Sequence, residues 1–238
     1  MDLSHPLIAL ALATGFIHTL AGPDHYLPFV AISRARGWSW TRTAVVTILC
    51  GVGHIAGSII LGLVGIAAGV AIFHLETVES VRGDIAAWLM IAFGVVYACW
   101  GIRRAARRPE HHHAHAHADG EVHTHDHSHQ HSHVHVHGEE SKAGGGSITP
   151  WVLFAIFVFG PCEVLIPQLM YPAATGDVAT AVAVVTAFSL TTITTMLGMV
   201  LLLTFSLGKA HFSWLERRTH LLAGATIALC GVLILVGF

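Results

Sequence analysis

The chain has 238 residues, 54% of them hydrophobic and 11% charged, with a formal net charge of −2 and mean hydropathy +0.66. A soluble domain carries about 25% charged residues, so this composition excludes an ordinary soluble enzyme fold and places the chain in the membrane class. The near-neutral charge gives no footprint for nucleic acid.

Spanning about 30 Å of hydrocarbon takes about 20 apolar residues. Six such runs are expected, at roughly 7–32, 43–73, 84–102, 150–173, 178–208 and 219–238. The first starts behind acidic Asp2, with no basic leader and no small-residue cleavage site. It is therefore read as a retained helix. The second and fifth runs are long enough to tilt or to project from the bilayer.

The first run contains "FIHTLAGPDHYLPFVAI", with His18, Asp24 and His25 among apolar neighbours. Asp24 alone costs about 2.5–3.5 kcal/mol at a helix centre on the insertion scale. Pro23 removes a helical N–H and Gly22 eases unwinding, so the helix is expected to break here. In lipid the freed carbonyls need partners, and a cation is one. The second run adds His54 among Gly51, Gly53 and Gly57, whose small size permits close helix approach.

Basic residues set the expected orientation. Arg34, Arg36 and Arg42 follow the first run, Arg103, Arg104, Arg107, Arg108 and Lys142 the third, and Lys209, Arg217 and Arg218 the fifth. Only Arg82 falls elsewhere, in a second connection with Glu76, Glu79 and Asp84. Odd connections are thus expected in the cytoplasm and both termini outside, in a bacterial inner membrane.

Residues 103–149 form the third connection. Within it lies "HHHAHAHADGEVHTHDHSHQHSHVHVH", with His111, His112, His113, His115, His117, His123, His125, His127, His129, His131, His133, His135 and His137. Alternation with Ala, Ser, Thr, Asp and Val leaves no apolar face to bury, so a disordered loop is expected. Imidazole-rich tracts bind divalent metals. Redundant spacing suits several weak sites, a metal antenna that raises local ion concentration.

The fourth run holds "GPCEVLIP" at 160–167. Gly160 and Pro161 match Gly22 and Pro23, Cys162 stands where the first copy has Asp24, and Glu163 where it has His25. With opposite predicted orientation, the expected fold is an all-α membrane protein of two inverted three-helix repeats, 1–102 and 150–238, each with a broken first helix. The fifth run carries Thr191, Thr192, Thr194 and Thr195, a dense hydroxyl group expected to line a path. Cys50, Cys99 and Cys230 lie in apolar runs without a CxxC pair and read as packing residues.

Imidazole, carboxylate and thiolate together suit first-row divalent metals such as nickel, cobalt or zinc. His18, Asp24, His25, His54, Cys162 and Glu163 are the expected metal set. Ligands must be deprotonated to bind, which offers proton coupling. No enzyme activity and no catalytic cofactor are expected. The expected partners are the lipid bilayer and divalent metal ions, with no nucleic acid; the oligomeric state stays open.

"HTLAGPDH" resembles the His-x4-Asp-His signature of the nickel/cobalt permeases, with one extra residue in the spacing. "GFIHTLAGPDHYLP" with "LCGVGHIAGS" is similar to membrane proteins with a urease accessory role, and the His-rich loop after the third run is similar to the nickel/cobalt exporters. The resemblance implies Ni²⁺ or Co²⁺ as the transported ion, with His18, Asp24 and His25 as ligands and His54 as a further one. The exporter-like plan favours efflux. Uptake could run on the potential alone, since a divalent cation gains about 4.6 kcal/mol per 100 mV. "FGPCEVLIP" resembles the thiol–disulfide electron carriers of similar architecture, which carry a cysteine in each half; here Asp24 takes the other place. Efflux transporter, uptake permease, electron carrier and membrane-bound nickel chaperone are the alternatives.

Overall fold

The computed structural model describes residues 4–69, 72–106, 113–116, 122–125, 148–160, 162, 164–208 and 218–237. Helix α1 (Ser4–Ala21) ends at Gly22, a single 3₁₀ turn covers Pro23–His25, and α2 (Leu27–Arg36) resumes the path. Pro23 and Pro28 each open a new segment, where a missing N–H costs nothing. Gly37, at φ 60°, closes α2 in the left-handed conformation. Ser39 then caps α3 (Trp40–Ala67) by accepting the Arg42 N–H at 3.2 Å.

Helix α4 (Ile72–Ala106) corrects one sequence expectation. Residues 74–83 are helix rather than a polar connection, and Glu79 is fully buried. The i,i+3 spacing puts Glu79 and Arg82 on one face, where they form an ion pair and lose the need for water.

Helices α5 (Thr149–Phe159) and α6 (Leu165–Ala174) flank the second Gly-Pro. The fourth expected run is therefore present as two short helices, one on each side of the Gly-Pro step where a break is expected. Asp177 accepts the Thr180 N–H at 3.0 Å and starts α7 (Val178–Gly208); α8 (Thr219–Val236) completes the body. Among the described residues, five helices are long and apolar enough to cross a membrane, namely α1, α3, α4, α7 and α8. Large apolar side chains cover their outer faces, such as Ile17, Val96 and Leu202. With every helical backbone bonded internally, such a surface suits lipid. The chain is an all-α, multi-pass membrane protein.

The helices pair in a pattern. α4 lies along α8, α1 along α7, and α3 along α5 and α6, while α3 and α7 meet each other. In the His-rich tract, β1 (His113–Ala116) and β2 (Val122–His125) pair antiparallel, with His113 opposite His125 and His115 opposite His123. That departs from the expected disorder at these eight residues; alternating His-Ala has the two-residue period of a strand. The other tract histidines, His111, His112, His117, His127, His129, His131, His133, His135 and His137, lie outside the described residues.

Candidate metal or thiol site

The two helix breaks bring the polar side chains together. His18 lies in the last turn of α1, and the 3₁₀ turn carries Asp24 and His25. α3 supplies His54 from its middle, and Cys162 follows Gly160 and Pro161 beyond α5. The ring centroids of His18 and His25 are 4.7 Å apart, and those of His25 and His54 are 5.2 Å apart. One donor atom each from His18, His54 and Cys162 lies within 4.8 Å of the others.

Both motif glycines make room for this group. A Cβ on Gly22 would lie 2.6 Å from His25 Nδ1 and 2.8 Å from Asp24 Oδ1. A Cβ on Gly160 would lie 2.9 Å from His54 Nδ1. Each contact is closer than side-chain carbons tolerate, so each Gly-Pro motif contributes a glycine that makes room for an imidazole.

The hydrogen bonds orient the rings. His25 Nδ1 faces the Gly22 carbonyl at 3.2 Å and Asp24 Oδ1 at 3.3 Å. Two acceptors there fix the proton on Nδ1 and leave the Nε2 lone pair bare. A carboxylate behind an imidazole is the usual second partner of a metal-bound histidine. Among the described residues, His25 Nε2, His18 Nε2 and both nitrogens of His54 are buried without a hydrogen-bond partner. Unpartnered polar atoms in a buried site are costly unless a ligand or water completes them.

Behind Cys162 stands a pair that charge patterning had assigned to a loop. Glu79 Oε2 accepts the Cys162 N–H at 3.1 Å, and Glu79 Oε1 pairs with Arg82. Arg82 Nη2 donates to the carbonyls of Val158 at 2.8 Å and Gly160 at 3.4 Å; Nη1 reaches Ser58 Oγ at 3.4 Å. These are the carbonyls left over where α5 stops. The ion pair thus closes the second break. The sequence signal was the proline-free "TVESVRGD" with acid and base three apart.

Of the expected ligands, His18, His25, His54 and Cys162 meet, with Asp24 on His25. Glu163 lies outside the described residues. Among the threonines, Thr192 is fully buried with no partner for its hydroxyl. Thr191 donates to Ala187 O at 2.9 Å and Thr194 to Leu190 O at 2.6 Å; Thr194 is exposed, and Thr195 is half-buried. Cys50, Cys99 and Cys230 are free thiols. A separate cavity of about 460 Å³, lined by Ser33, Arg34, Trp38, Thr43, Thr204 and Thr219, holds none of the expected ligands.

Residues 9–233 match the family described as the cytochrome c biogenesis protein transmembrane region. The chloroplast protein FOR GROWTH AND FERTILITY 1 of Arabidopsis thaliana is 32% identical over 96 residues, which is 40% of this chain. The match spans 24% of that relative's length. No solved structure matches the chain. With the family model covering nearly the whole helical body, the chain belongs to the family of the cytochrome c biogenesis protein transmembrane region.

Proposed function

We propose that the protein moves a divalent transition-metal cation, Ni²⁺ or Co²⁺, across a bacterial inner membrane, binding it at the two helix breaks. The observation that carries this reading is the group His18, His54 and Cys162 within 4.8 Å, beside His25 with its bare Nε2. Nitrogen and sulfur donors select borderline and soft first-row ions over magnesium or calcium. The donors come from both halves of the chain, the arrangement in which a rocking of one half against the other changes access. Efflux is the proposed direction, with H⁺ exchange as its drive, because metal and protons compete for imidazole and thiolate. The termini lie outside, and the His-rich tract collects ions in the cytoplasm.

The family match favours a second reading over this one: a thiol–disulfide electron carrier, in which Cys162 would be the reactive thiol. Cys162 sits at a break, as such a carrier requires. The place equivalent to it in the first half is Asp24, and a two-electron dithiol couple needs a second cysteine there.

Purified protein in liposomes distinguishes the two. The metal reading expects Co²⁺ flux and a thiolate-to-cobalt absorption band in the wild type. The band is lost in Cys162→Ser, and flux falls by about tenfold or more in His18→Ala, His25→Ala and His54→Ala. Absence of flux and band, together with a Cys162-dependent exchange of reducing equivalents with an added dithiol, would establish the electron carrier instead.

A further inference from the structure

Three helices meet beside the His/Cys group: α1, α6 and α7. Gln168 of α6 donates through Nε2 to Thr14 Oγ1 at 2.9 Å and to the Val164 carbonyl at 3.0 Å. A carbonyl can only accept, so the amide nitrogen must face it, and the orientation of the amide is fixed. Both N–H groups are therefore occupied. Gln168 Oε1 is left buried with no partner among the described residues, on a residue only 8% exposed.

From α7, Thr192 packs against α1 at the next residue, Gly15. A Cβ on Gly15 would lie 3.3 Å from Thr192 Oγ1, and the Thr192 hydroxyl is also buried without a partner. Thr14 and Gly15 precede His18 by about one helical turn, roughly 6 Å along the axis. His18 and Phe188, one turn before Thr192, have ring centroids 6.4 Å apart. An amide oxygen and a hydroxyl, each without a partner among the described residues, thus lie against consecutive residues of α1, about a turn away from the first imidazole.

An orphan amide oxygen in a lipid-embedded body is costly, more so when its own N–H groups lock it in place. Oxygen donors of this kind hold a divalent cation through part of its water shell, whereas the nitrogen and sulfur donors beyond suit the stripped ion. We propose that Gln168 Oε1 and Thr192 Oγ1 form a second, oxygen-lined cation station, where a partly hydrated divalent ion pauses on its way to or from His18. Thr14 is a positioning residue that fixes the Gln168 amide. This rests on the metal reading above.

The test uses full-length protein in liposomes with Co²⁺ as the probe, following initial flux and the thiolate-to-cobalt band together. Gln168→Met removes the oxygen at similar volume, and Thr192→Val does the same for the hydroxyl. Each is expected to slow flux by about tenfold or more, with the band and its Co²⁺ titration midpoint unchanged, because only passage depends on the station. Gln168→Glu keeps an acceptor and is expected to retain flux. Wild-type flux in Gln168→Met and Thr192→Val overturns the station while leaving the metal reading intact. Loss of the band with the flux also overturns it, since Gln168 would then act by holding the fold. A wild type with neither band nor flux overturns the metal reading and the station with it.

Discussion

Cys162 follows a proline and a glycine at a break in the helix, yet its backbone N–H reaches Glu79 at 3.1 Å. One carboxylate thereby performs two tasks: it accepts that N–H and neutralises Arg82, whose guanidinium completes the carbonyls of Val158 and Gly160. Removing one partner of a buried pair strands the other, at a cost of about 3–5 kcal/mol. Arg82 keeps some exposure, 16% of its side chain, which favours the lower end of that range. Glu79→Ala is therefore expected to lower the thermal midpoint in detergent and to disturb Cys162. Glu79→Gln keeps an acceptor for the Cys162 N–H, so it should lose stability while keeping cobalt–thiolate absorption. Should Glu79→Ala melt like the wild type with its band intact, the pair would have no part in holding the break.

At the scale of the element, some of this architecture is legible in sequence and some is not. The breaks follow from Gly-Pro steps that no helix tolerates without rearrangement. The polar cluster at the first break follows from the cost of His and Asp in apolar surroundings. Glu79 and Arg82 were hidden because opposite charges read alike whether solvated in a loop or paired inside a helix; only the fold supplies the carbonyls that make burial favourable. The α4–α8 pairing was hidden for a similar reason. A Cβ on Gly94 would lie 2.6 Å from the Gly224 carbonyl, and one on Gly224 would lie 2.5 Å from the Gly94 carbonyl. The two backbones touch, as small residues allow in membranes, where helix association depends on close packing. Many glycines occur in these runs, and sequence alone does not say which two face each other. Gly94→Leu is expected to force α4 and α8 apart and lower stability by about 1–3 kcal/mol, as overpacking does. Gly198→Leu is the control, because a Cβ there meets nothing within 4 Å. Equal unfolding midpoints for the two variants would show that the α4–α8 contact is not tight.

Over the whole molecule, the His/Cys group lies between two apolar clusters. Ala11, Ile55, Leu165, Val184 and Phe188 pack around Cys162 toward the N-terminal ends of α1 and α7. Phe29, Val46, Leu153 and Phe157 belong to a second cluster, toward α2 and the N-terminal ends of α3 and α5. His18 faces Phe188 at 6.4 Å, His54 faces Phe157 at 6.3 Å, and Phe157 lies 4.6 Å from Phe29. Cys162 is fully buried, and a phenylalanine ring stands on each side of the His/Cys group. In a protein keeping Cys162 as its sole thiol, an impermeant maleimide should label slowly from either face. Truncating a buried phenylalanine leaves a cavity that the surroundings fill only in part. Phe188→Ala should therefore admit reagent to Cys162 from the side of the α1 N-terminus, and Phe157→Ala from the side of α2, each raising the labelling rate by about tenfold. Right-side-out and inverted vesicles separate the two routes. If both variants open Cys162 to the same side, the two phenylalanines form one barrier, and the donor group is the end of a blind pocket instead of a crossing point.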